Sequence, residues 1–198
     1  MIVTAPARPY SGTMHVDEFM AFLEMRPKEE RWDLIEGVAV MMAPPSYAHH
    51  QIASNLQFLL RVSLEAHAPM LAAYQEGGVN LGPSLQHYDP EPDVVVVDAE
   101  VMRQPGKRYA DRFYLAAEVV SPSDRTYVET KRELYKLHAH CKYVLTIQQE
   151  RIEIRFDTRT EAGRNEQLFT EADDVLVLPD FGLHCKVFDL YRGTSLAP

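Results

Sequence analysis

Cysteine is scarce in this sequence. Only Cys141 and Cys185 occur among 198 residues, and neither belongs to a C-x-x-C pair or a Cys/His cluster. That excludes a disulfide framework and leaves a structural zinc site unsupported. Long hydrophobic runs are lacking too. No stretch approaches the roughly 18 apolar residues of a membrane span, and residues 1–12 have no apolar segment of the signal-peptide kind. A reducing cytoplasm is the expected setting, with no membrane partner. There is no glycine-rich phosphate loop and no G-x-S-x-G elbow, which disfavours P-loop chemistry and a serine-hydrolase triad. Positive charge is also in deficit: 20 Lys and Arg stand against 29 Asp and Glu, a net charge of −9. Such a balance counts against tight non-specific binding of nucleic acid, which draws on a basic surface. The basic residues group in two places, Arg103, Lys107, Arg108 and Arg112, then Arg125, Lys131, Arg132 and Lys136.

What is present is an ordinary globular composition, 46% hydrophobic and 25% charged. The length suits one domain over residues 13–198, preceded by a mobile arm at 1–12. Val16, Phe19, Met20 and Leu23 predict a short amphipathic helix over 14–25. Residues 31–42 read as two strands around Glu36-Gly37. Ser46 is a fair N-cap for a long helix over 47–67, whose buried face is Ile52, Leu56, Leu59, Leu60 and Leu64. Strands are expected within 70–81 and at 93–97, 113–120, 142–148, 151–157, 166–170 and 175–178, and a short helix at 187–191. The alternation predicts an α/β fold, a mixed sheet flanked by helices with added hairpins.

The most informative stretch runs from Phe113 to Lys131. Phe113 to Val120 is an apolar run carrying one carboxylate, Glu118, as in a strand buried on both faces. A carboxylate there is costly unless paired or bound to a cation. The turn Ser121-Pro122-Ser123-Asp124 follows, then a helix opened by a Thr126/Glu129 capping box. Tyr127, Lys131, Leu134, Tyr135 and His138 share one face of that helix, while Glu129, Arg132, Glu133 and Lys136 occupy the other, where charges are expected to be solvated. Lys131 is thus the one formal charge in the inward stripe, and its ammonium is within reach of Glu118.

Asp93 opens the apolar strand that precedes the one ending at Glu118. If those strands are neighbours, two carboxylates converge at one edge of the sheet. Such oxygen donors suit Mg²⁺ or Mn²⁺, with the Val119 carbonyl as a further ligand. Lys131 would supply fixed positive charge beside the reacting phosphate. His49 and His50 read as surface or capping residues, Tyr135 as packing beneath the site, and Ser121 and Ser123 as turn residues.

Pro92-Asp93, Glu118-Val119-Val120 and a following lysine together resemble the PD-(D/E)XK nuclease superfamily. Trp32 to Gly37, Met42 to Ser46, His50-Gln51, Pro92 to Val94, Glu118 to Ser123, Lys131 with Tyr135, and Asp189 to Gly193 are similar, in that order, to the Uma2 family of restriction-endonuclease-like proteins. Val120 stands where the superfamily has its Glu-x-Lys lysine. The Uma2 pattern moves that lysine to the next helix, where Lys131 matches it. Ile147, beside Gln148, stands where many members carry an acid. The resemblance implies a restriction-endonuclease-like fold and a Mg²⁺-dependent endonuclease hydrolysing DNA phosphodiester bonds. Asp93 and Glu118 would hold the metal, Lys131 would stabilise the transition state, and Glu36, placed by the family pattern at the early hairpin turn, would assist. A homodimer is expected by analogy, with residues 14–25 or 151–157 as the contact. The alternative is a nuclease fold that has become an inactive binding or assembly module.

Overall fold

A computed structural model describes residues 13–104, 106–107, 109–121 and 125–197. The arm at 1–12, most of the turn at 122–124 and the side chains of Arg125 and Thr126, hence the capping box, lie outside the described residues. In chain order the elements are α1 (Val16–Glu24), the hairpin β1 (Trp32–Ile35) and β2 (Val38–Met41), and the long helix α2 (Tyr47–His67). Then come β3 (Leu71–Gln75), β4 (Gly78–Val79), β5 (Val94–Asp98), β6 (Tyr109–Ala110), β7 (Phe113–Val120) and α3 (Arg125–Leu137). The chain closes with β8 (Tyr143–Gln148), β9 (Ile154–Thr160), β10 (Gly163–Phe169), β11 (Val175–Leu178), β12 (Leu183–Lys186) and α4 (Val187–Tyr191). Strand β12, absent from the sequence-based expectation, pairs with β11 in a small hairpin.

Six strands form the central sheet in the order β10-β9-β8-β7-β5-β3. Only β7 and β8 run parallel, joined by the α3 crossover; their neighbours are antiparallel. Strand β7 is central and, apart from Tyr114, is buried along its whole length. That is why its sequence reads as a continuous apolar run rather than an alternation. One face carries Leu115, Ala117 and Val119 against Leu56, Leu60 and Leu64 of α2. The other carries Ala116, with Val95 and Val144, against Leu134 and Tyr135 of α3.

Ser46 caps α2 by accepting from the His49 N–H at 3.1 Å. Of the expected α2 face, Ile52, Leu56, Leu60 and Leu64 are buried, and Leu59 is half-buried at its edge. At the β1–β2 turn Glu36 and Gly37 both take positive φ, 52° and 75°, as a two-residue primed turn requires. Among the described residues no helix is long and apolar enough to cross a membrane.

Two expectations need correction. Arg132 is not on a solvated face: it is 2% exposed. Strands β9 and β10 bring Asp157 and Glu166 up beside α3, and its guanidinium donates to Asp157 Oδ2 at 2.8 Å, to Glu129 Oε1 at 2.6 Å and to Glu166. The second concerns residues 151–157. Ile154 and Phe156 are buried in the chain's own core, because β9 is an interior strand between β8 and β10, so they present no apolar contact surface.

Arg132→Met should therefore destabilise the fold by about 3–5 kcal/mol, because it strands buried Asp157 without its guanidinium. Urea unfolding should show the loss, and adding Asp157→Leu to the same chain should recover much of it. An Arg132→Met chain as stable as wild type would mean that the pair contributes nothing.

Candidate active site

Strand parity brings the acids together. Ala116 and Val95 are cross-strand partners on the α3 side of the sheet. Two residues on along β7 lies Glu118, and two residues back from Val95 lies Asp93, so both project to the same face. Strand β7 overhangs β5 at this end, since the ladder stops at Val94 and Ala117. The Val119 N–H therefore has no β5 backbone to meet and donates to Asp93 Oδ2 at 2.8 Å. The N–H and C=O of one strand residue point the same way, which puts the Val119 carbonyl on the same open edge.

Lys131 reaches in from the second turn of α3. Its Nζ lies 2.8 Å from Glu118 Oε1 and 3.1 Å from Asp33 Oδ2, and donates to the Glu91 carbonyl at 3.2 Å. Lys131 is 3% exposed. Burial alone would pull its pKa down, but the charges of Asp33, Glu118 and Asp93 outweigh it and hold the amine protonated. Tyr135, one turn on, donates its hydroxyl to Glu118 Oε1 at 2.6 Å. Asp33 Oδ1 accepts from the Glu91 N–H at 3.2 Å, while Oδ2 accepts no hydrogen bond and faces Lys131 as an ion pair.

On the other flank His49 Nε2 is 3.1 Å from Asp93 Oδ1, and Arg31 is 3.8 Å from the same oxygen. Burial opposes ionisation of Asp93, yet the hydrogen bond and charge of His49, then Lys131, hold its pKa below the ordinary value. Burial likewise lowers the His49 pKa, but the bond to Asp93 and its charge raise it overall. Glu118 behaves differently: burial dominates, and with Asp93 alongside its pKa climbs to about 7 despite Lys131. Two carboxylates at one sheet edge are thus shifted in opposite directions, a pattern typical of functional sites. Arg31, Met42, Pro45, His49 and Tyr127 complete a cleft of about 30 Å³ over these groups.

Asp93, Glu118, Val119 and Lys131 are thus brought together. Glu36 is not: it is exposed at the β1–β2 turn. Asp33, three residues earlier, is the acid of that hairpin that meets Lys131. Glu36 lies past the end of β1, in the turn, whereas Asp33 is held within the strand with its Oδ2 facing Lys131. Asp33 was detectable by the reasoning that singled out Glu118, being one carboxylate in an otherwise apolar strand, Trp32 to Ile35. His49 carries no comparable sequence signal, since a histidine in a first helical turn is ordinary. The basic clusters are largely neutralised: Lys107 pairs with Asp111 at 2.6 Å, Arg112 with Asp98 at 2.9 Å and Lys136 with Glu133 at 2.7 Å. The side chains of Arg108 and Arg125 lie outside the described residues.

Asp93, Glu118 and the Val119 carbonyl form an all-oxygen donor set of the kind hard divalent cations take. Among the described residues no three His, Cys, Asp or Glu side chains form a ready-made metal cage, but Mg²⁺ is commonly held by one or two carboxylates with water and phosphate oxygens.

The family model of Uma2, described as "putative restriction endonuclease", matches residues 16–187. The chain belongs to that family. The crystal structure of a "putative nuclease" of DUF820 from Anabaena variabilis superposes with a TM-score of 0.70 at 19% identity, covering 90% of this chain and 97% of the other. The central mixed sheet flanked by helices is thus a nuclease-type fold. No curated protein sequence matches.

The raised carboxyls carry a pH signature. Burial pushes Glu91 and Asp89 up to about 7, as it does Glu118. Each holds its proton to a higher pH when folded than when unfolded, so its contribution to stability is full below the unfolded pKa and is lost as pH rises through about 7. His49, also raised, has the same sign. In EDTA the urea midpoint should therefore be lower at pH 8 than at pH 5.5. A midpoint that rises over this interval would show these groups to be ordinary carboxylates.

Proposed function

We propose that this protein is a Mg²⁺-dependent endonuclease that hydrolyses DNA phosphodiester bonds at the Asp93–Glu118–Lys131 cluster. The observation that carries the reading is a buried ammonium 2.8 Å from Glu118, beside a second carboxylate anchored by the neighbouring strand's backbone. Asp93 and Glu118, with the Val119 carbonyl, would hold the cation. When bound, a divalent cation neutralises phosphate charge and acidifies a water. The chain's own residues set the geometry. Tyr135 and Lys131 both donate to Glu118 Oε1 and fix that carboxylate, and Val119 and His49 fix Asp93. The Lys131 ammonium, rigid and already desolvated, is placed to stabilise negative charge growing on the phosphate oxygens. Asp33, rather than Glu36, is the third acid that keeps Lys131 in place.

The net charge of −9 favours a second reading, a nuclease fold that binds or assembles without cutting. Plasmid nicking with and without Mg²⁺ or Mn²⁺ separates the two. The nuclease reading expects nicking that requires the ion and falls at least about 100-fold in Asp93→Asn and in Lys131→Met. It also expects Mg²⁺ to raise the melting temperature of wild type and not of Asp93→Asn, since only the folded site binds the ion. Absence of both turnover and thermal shift would leave the binding module as the surviving reading.

A further inference from the structure

One of the two Asp93 oxygens is already committed. Oδ2 accepts the Val119 N–H at 2.8 Å, which leaves Oδ1 as the oxygen open to a cation. His49 Nε2 lies 3.1 Å from Oδ1. Both residues line the same cleft as Glu118, and its volume of about 30 Å³ has room for an ion or a water. Arg31 is the other group near Oδ1, at 3.8 Å, and Glu76 holds it from outside at 3.1 Å. His49 is 6% exposed. It stands in the first turn of α2, where Ser46 accepts its backbone N–H at 3.1 Å, so the helix cap fixes the backbone that carries the ring. Its Nδ1 is buried and has no hydrogen-bond partner.

The imidazole thus has one polar engagement, and it is with the oxygen a metal would take. Because nothing bonds Nδ1, nothing ties the ring to the tautomer that carries its proton on Nε2. With the proton on Nδ1, Nε2 offers a lone pair beside Asp93 Oδ1. Two donor atoms 3.1 Å apart match adjacent ligands of an octahedral divalent ion, which stand about 3 Å apart when the bonds are about 2.1 Å. A cation entering at Oδ1 therefore meets the imidazole at bonding distance. Among the described residues His49, Asp93 and Glu118 do not form a closed cage, since Glu118 Oε1 is drawn toward Lys131 and Tyr135. The pair of His49 and Asp93 needs no such closure. The second Glu118 oxygen, the Val119 carbonyl and water would complete its shell.

We propose that His49 Nε2 is a direct ligand of the active-site cation, beside Asp93 Oδ1, and that the site selects a first-row transition-metal ion such as Mn²⁺ over Mg²⁺. The proposal rests on the metal-dependent reading above and adds a nitrogen to its oxygen donors. Imidazole is a common ligand of transition metals, whereas Mg²⁺ takes oxygen almost alone. Mg²⁺ would use the same oxygens and gain less from the ring.

The test is pulsed EPR of the full chain loaded with Mn²⁺, with ordinary histidine and with histidine carrying the heavy nitrogen isotope, beside titrations of Mn²⁺ and Mg²⁺. Wild type should show nitrogen coupling to Mn²⁺ that changes with the label, is lost in His49→Gln and persists in His50→Gln. His49→Gln should bind Mn²⁺ at least about tenfold more weakly and lose less of its Mg²⁺ affinity. If His49→Gln does not fold, wild-type coupling that vanishes in Asp93→Asn supports the same ligand, because His49 is the histidine beside that carboxylate. Coupling that survives His49→Gln or Asp93→Asn, or saturable Mn²⁺ binding without a histidine nitrogen, overturns the proposal and leaves an oxygen-ligated nuclease site standing. Nitrogen-coupled binding without nicking would keep the ligand and sink the nuclease reading. No saturable Mn²⁺ binding would sink both.

Discussion

The Lys131 ammonium is almost wholly withdrawn from water, touching it only at the floor of a small cleft, and the arrangement of this end of the molecule follows from that. A lone buried cation would cost several kcal/mol or shed its proton. Here Asp33 from β1, Glu118 from β7 and, at longer range, Asp93 from the start of β5 offset the cost. The dependence is mutual, because each of those carboxylates is itself nearly excluded from solvent. Four separate pieces of chain must arrive together before any of these charges is tolerable. A cluster of this kind contributes little net stability compared with an apolar core, so its presence in the middle of a well-packed fold points to use rather than to structure.

The sheet provides the opening through a mismatch in strand length. Had β5 begun two residues earlier, Val119 would pair with backbone and the edge would be sealed. Instead β7 overhangs, and the Asp93 side chain takes the hydrogen bond a neighbouring strand would have made. Aspartate is suited to this because its short side chain can mimic a backbone acceptor and still keep a second oxygen. That oxygen lies against His49 and Arg31, so nitrogen-bearing side chains gather on that flank.

Much of this was legible in the chain because it depended on local rules. An apolar run bounded by turn residues identified β7, a lone carboxylate within it identified Glu118, and a 3.6-residue stripe identified Lys131. That the strands of Asp93 and Glu118 be neighbours was the condition that makes Asp93 meaningful, and β5 and β7 do pair, running antiparallel. The failures were of tertiary origin. Arg132 is one position from Lys131 and was assigned to solvent, because nothing local reveals that β9 and β10 close over that face. His49 is buried only because the N-terminus of α2 meets the start of β5. Glu36 was carried to the site by family pattern, but it falls in the exposed turn past the end of β1, and the acid buried within that strand and facing Lys131 is Asp33.

The acidic balance of the chain bears on how a nucleic acid could be held. Lys107, Arg112 and Lys136 are matched by nearby carboxylates, and Arg132 is consumed inside the fold. Long-range attraction of phosphate, which supplies most non-specific affinity, is therefore weak for such a surface. Recognition must then come from short-range contacts inside clefts, where desolvated groups act at close quarters and net charge matters less. Under the nuclease reading, the contact open to an acidic protein is a cluster in which a cation and Lys131 would hold one phosphate at close range. Such a contact selects by geometry rather than by net charge.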